Sequence, residues 1–179
     1  MNETEFIRRQ LSLEREHLGA VARACADAAM TPTPAKTSTL AQFQQACLEY
    51  LDCVLGWYEE RDRRVEKLAA GLDAEDPRCS TMNEILGRQG SGREALEKLT
   101  TAGASPGGWP QFVRFLSGPW SARRDALEEL LAHDTRALDW RLIGGVDADG
   151  ILEERRHYER VVALLPASVS LAPQPARGA

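Results

Sequence analysis

Between Leu40 and Leu68 the main apolar residues fall at Leu40, Phe43, Cys47, Leu51, Val54, Tyr58, Val65 and Leu68. Most of these steps are of three or four residues, which puts the side chains on one face of an α-helix; a strand would alternate every second residue. The stripe lasts for about eight helical turns and is broken only near Arg61. A helix of that length with one apolar stripe must bury it against other elements. Thr39 and Gln42 have the spacing of a capping box at its start, and Gly71 supplies a stop at its end. The pattern predicts a helix from Leu40 to Ala70.

The rest of the chain repeats this grammar. A first helix is predicted from Glu5 to Met30, halted by Thr31-Pro32-Thr33-Pro34, because proline lacks the helical donor and restricts its predecessor. A third is predicted after Asp76-Pro77 as far as Ala102, with Thr81 and Glu84 in capping-box spacing. Gly87, Gly90 and Gly92 weaken it, so a break is expected near Gly90. After the loop Gly103–Gly108 and the short apolar piece Phe112–Leu116, a fourth long helix is predicted to run to Ile143 and close at Gly144-Gly145. A last helix opens near Asp147 and ends at Leu165-Pro166. No segment alternates with a period of two, and no repeat of fixed length is visible. The expected fold is all-α: an antiparallel four-helix bundle with an additional C-terminal helix, residues 1–166 forming one domain and 167–179 a disordered tail.

Composition narrows the function classes. Hydrophobic residues make up 43% of the 179 residues, enough for a core of this architecture. The net charge of -5 argues against nucleic-acid binding, and Arg61-Asp62-Arg63-Arg64 reads as a solvated helix face. No apolar run reaches the roughly 20 residues that span a bilayer, and Met1–Glu5 lacks a signal-peptide pattern, so the expectation is a cytoplasmic protein without membrane partners. Cys25, Cys47, Cys53 and Cys79 form no CxxC pair and read as buried free thiols. Trp57, Trp109, Trp120 and Trp140 read as core and loop-packing residues, and His157 as a surface residue. Gly87–Gly92 lacks the Lys-Ser/Thr ending of a phosphate loop.

Polar residues on apolar stripes carry the remaining signal. On the first helix Leu13, His17, Ala20, Val21 and Ala24 share a face; on the second, Glu60 lies at the stripe margin. On the fourth, Leu127, Leu130, Leu131, Leu138 and Leu142 enclose Asp134, with His133 at the edge. A buried carboxylate costs several kcal/mol unless it is paired or ligates a metal. Asp134 is accordingly expected to pair with Arg61, Arg64 or His17.

Leu13-Glu14-Arg15-Glu16-His17 resembles the opening helix of hemerythrin-like (HHE) domains. The resemblance extends weakly over about Glu5 to Leu165: Gly56 and Glu60 stand at the family's His-and-carboxylate spacing, Glu84-Ile85-Leu86-Gly87-Arg88 resembles its Glu-His…Gly-Arg stretch, and Leu130 with Asp134 matches its fourth-helix pair. It implies a bundle that in the family holds a di-iron centre. Of the implied histidines only His17 is present; Gly56, Ile85, Gln89 and Leu130 stand in place of the others. The resemblance therefore implies a relative that has lost its metal centre, has no cofactor, and acts as a regulatory module on a protein partner rather than as an enzyme. Ile85 and Leu130 would then be buried against one another. Two alternatives stay open: a residual iron site at His17, Glu60 and Asp134, completed by Glu14, Glu59 or His133, with an oxygen or redox role; and a DinB-like metal-dependent transferase using the three histidines.

Overall fold

The computed structural model describes residues 3–30, 38–101, 107–120, 126 and 148–171. Six helices are present among them: α1 (Glu3–Met30), α2 (Ser38–Ala69), α3 (Arg78–Leu86), α4 (Ser91–Thr101), α5 (Gly108–Ser117) and α6 (Ala148–Ala163). The described residues contain no strand, so the all-α expectation holds for them. None of these helices is long and apolar enough to cross a membrane. The predicted fourth long helix, with Leu130, His133, Asp134 and Trp140, lies outside the described residues apart from Ala126.

The long stripe makes α2 the hub. It packs against α1, α3, α4 and α6, while α5 packs on α1 and α4. Phe43, Cys47, Tyr50, Leu51, Val54 and Leu55 are all essentially inaccessible. They meet Leu18, Val21 and Cys25 of α1, Leu96 and Leu99 of α4, Trp109 and Phe112 of α5, Trp120, and Val161 of α6. Glu14 pairs with Arg61 and Cys25 lies by Cys47, so α1 and α2 run antiparallel. Val169 is also buried against this core, beyond Pro166. A smaller core, Val65, Met82, Ile85 and Ala126, closes the far end of α2.

The α2–α3 turn is held by Asp76, whose Oδ1 accepts the Arg78 backbone N–H at 2.9 Å and its guanidinium Nε–H at 2.8 Å. The helix starts at Arg78, directly after Asp76-Pro77 as the sequence predicts, and Thr81 is buried inside it rather than capping its start. The break expected near Gly90 is present: α3 ends at Leu86, and Gly90 sits at φ 74° before α4 begins. That left-handed backbone favours a residue without Cβ. Gly92 has a different reason to be glycine. A Cβ there would lie 2.8 Å from Leu55 Cδ2 and 3.0 Å from the Trp120 ring, so the missing side chain lets α4 approach α2.

Candidate functional site

Among the described residues three carboxylates are buried, Glu14, Asp62 and Glu154, and bonds to two of them, Glu14 and Glu154, join helices across the polar interior. The first is Glu14 on α1. Sequence periodicity put Leu13 on the core face, but Leu13 is 39% exposed whereas Glu14 is 1% exposed. The face is rotated by one residue and runs through Glu14, Leu18, Val21, Ala22 and Cys25. Glu14 can be buried because Arg61 reaches it from α2 with two parallel bonds, Nη1–H to Oε2 at 2.8 Å and Nη2–H to Oε1 at 2.9 Å. This is the bidentate geometry of the strongest charged hydrogen bonds.

Arg61 also corrects the reading of its run as a solvated face: Arg61 is 2% and Asp62 1% exposed. Only Arg63 is fully outward; Arg64 is half-buried. Arg61 stands three residues after Tyr58 and four before Val65, which is the stripe's own spacing. Its guanidinium lies 5.2 Å from the Tyr58 ring centroid. Burial works to lower the pKa of Arg61, but Glu14 and then Tyr58 override it, so the value is raised and the group stays cationic. Its Nε–H has no hydrogen-bond partner among the described residues.

The second of these two is Glu154 on α6, 5% exposed. Its Oε1 accepts the Tyr50 hydroxyl from α2 at 3.0 Å and lies 2.9 Å from His17 Nδ1 on α1. The His17 ring stacks on Tyr158 at 4.0 Å between centroids, with planes 15° apart. Burial, then Glu154, raises the Tyr50 phenol, which remains a donor through the neutral range. The same two causes, in the same order, raise Tyr158.

Beside this interior lies a third group, at the α2–α6 boundary. The ligand atoms of Cys53, Glu153 and His157 all lie within 4.8 Å of one another. Cys53 and His157 are half-buried and Glu153 is exposed. Burial first, then Glu153, Glu154 and Asp52, push the Cys53 thiol up to about 12, with Arg156 opposing. His157 is therefore at a boundary rather than on an open surface. The other thiols divide as expected in part: Cys25 and Cys47 are buried, while Cys79, like Cys53, is half-buried. Between α4 and α5 there is also an open cleft of about 510 Å³, floored by Leu99, Phe112 and Phe115 and edged by Glu94 and Lys98.

The residues singled out in the sequence are distributed as follows. His17 is engaged with Glu154. Glu60 is paired at the surface with Arg63 at 3.1 Å and Arg64 at 3.5 Å, its side chain 46% accessible. Gly56 faces α4, where a Cβ would come within 3.4 Å of Arg93 Nη2; Arg93 itself bridges Glu59 at 2.9 Å and Asp52 at 3.1 Å. Ile85 is fully buried, but in the smaller core with Val65 and Met82; its expected neighbour Leu130 lies outside the described residues. Asp134 does too. Among the described residues, two of the three partners proposed for Asp134, Arg61 and His17, hold other, buried carboxylates, namely Glu14 and Glu154. The role of Arg61 was legible as an arginine in the stripe register. That of Glu154 was legible only as a carboxylate four before Tyr158 and seven before Val161, a spacing the sequence analysis passed over. No known family model, curated protein or solved structure matches the chain.

Proposed function

We propose that this chain is a hemerythrin-like four-helix bundle without a di-iron centre, acting as a regulatory, partner-binding module rather than an enzyme. The observation that supports this reading is the Glu14–Arg61 pair. Glu14 stands three residues before His17 in the stretch that carries the resemblance. The cation that compensates this carboxylate is a guanidinium of the chain itself. With both Glu14 oxygens taken by Arg61, and Glu154 Oε1 shared by Tyr50 and His17, these groups serve to hold helices in register. A buried charged pair is weak evidence for stability, and here it fixes which helices meet.

The test is iron analysis of Cys53→Ser protein purified without chelator, the substitution removing the boundary thiol as a source of bound metal. Iron well below one equivalent per chain is expected, together with unchanged melting on addition of ferrous iron under anaerobic conditions. One or more equivalents of iron, retained through gel filtration, would overturn the reading.

A further inference from the structure

The geometry points to a binding site for one zinc-class divalent cation at the α2–α6 boundary, held by Cys53, Glu153 and His157. It is independent of the reading above, because it uses none of the buried paired groups. Glu153 and His157 are four residues apart on α6 and so lie side by side on one helix face. Cys53 meets them from α2, and all three ligand atoms fall within 4.8 Å of one another.

Thiolate, imidazole and carboxylate together are the ligand set of zinc and its neighbours, whereas calcium and magnesium take oxygen alone. Bonds of about 2.0–2.3 Å in a tetrahedron separate ligands by about 3.6 Å. Closing from within 4.8 Å takes up to roughly an ångström, which rotation of the exposed Glu153 and the half-buried His157 and Cys53 side chains supplies. The backbone framework is already in place: Tyr50 holds Glu154, the residue next to Glu153, and Glu49 pairs with Arg160 one turn beyond His157.

The local field favours a dication. Glu153, Glu154 and Asp52 all lie close enough to Cys53 to act on it, with Arg156 as the opposing cation. Carboxylates gathered around one position attract a divalent ion. Binding then exchanges the thiol proton for metal, so one proton leaves Cys53 and the S–metal bond forms without any change of oxidation state. Three protein ligands leave a fourth position for water on the solvent side.

Cobalt(II) reports the site directly. Titrating the reduced, full-length protein with Co²⁺ should give one equivalent bound, with a thiolate-to-cobalt charge-transfer band and visible bands of four-coordinate metal, displaced by Zn²⁺. Cys53→Ser should abolish the charge-transfer band, and Cys79→Ser, which removes the other half-buried thiol, should retain it. His157→Ala, on a half-exposed side chain that the fold tolerates losing, should weaken Co²⁺ at least tenfold. The assignment is overturned if the parent shows no thiolate band, if the band survives Cys53→Ser or vanishes in Cys79→Ser, or if His157→Ala binds Co²⁺ as tightly as the parent.

Discussion

Arg61 and Glu14 occupy positions where an apolar side chain would satisfy packing alone. Their side chains are 3% and 1% accessible, so each depends on the other for its charge. Truncating one partner of such a pair costs about 3–5 kcal/mol, because the survivor is left buried and uncompensated. Arg61→Ala and Glu14→Ala should each lower the urea midpoint by that order. The double replacement Glu14→Leu/Arg61→Met should recover most of the loss or exceed the parent, since it removes both charges and keeps the volume. Equal and additive losses in the cycle would mean that the two side chains do not act as a unit. At this scale the sequence was legible in kind but not in detail. A polar residue on an apolar stripe announces a partner, and that rule pointed to Asp134 with Arg61, Arg64 or His17 as its partner, not to Glu14 or Glu154. It did not give the pairing. A helix face defined by small residues such as Ala20, Ala22 and Ala24 is too broad to distinguish Leu13 from Glu14 on its edge. The partner arrives from 47 residues away in one case and 137 in the other, and no local spacing encodes that.

Helices were easier to read than residues because their signals are local. The stripe of α2, the stop at Gly71 and the break at Gly90 all coincide with elements of the structure. The start of α3 directly after Asp76-Pro77 coincides as well: Asp76 accepts the N–H two residues on, and Pro77 begins the helix in helical backbone geometry without a side-chain cap. The glycines that looked like weaknesses have separate duties. Gly90 turns the chain, and Gly92 lets α4 pack directly on α2. Gly92→Ala would place a methyl group against Leu55 and Trp120. It should cost about 1–3 kcal/mol despite the better helix propensity of alanine, the usual penalty for overpacking a tight contact. Thermal melts would register it as a lowered midpoint, and a gain in stability would show that the α2–α4 approach is not tight.

Across the whole molecule, protonation links these parts. Cys53 is raised from 9.0 to about 12, and the buried Tyr50 phenol and Cys25 thiol are raised as well, burial being the largest cause in each. A raised value means that the folded chain keeps a proton which the unfolded chain releases. The contribution is complete below the unfolded values of 9.0 for the thiols and 10.0 for the phenol, and is lost as pH rises beyond them. Stability should therefore hold near neutrality and fall from about pH 9 upward, by up to about 1.4 kcal/mol per pH unit for each fully buried group. Urea midpoints across that window check this, and Cys53→Ser should flatten the decline between about 9 and 12. A midpoint that stays level through the window would show that the thiols and phenol are solvated in the folded state.

A single oxygen, Oε1 of Glu154, receives the Tyr50 hydroxyl and faces His17, so α1, α2 and α6 meet at one atom. In mechanical terms that atom is a joint. Tension drawn through the C-terminal helix reaches both of its neighbours at the same point, and the load is shared between them instead of peeling α6 away turn by turn. That joint acts together with Val161 in the core, Tyr158 against His17 and Arg160 on Glu49: α6 should stay seated under rising force and yield when these contacts are lost together.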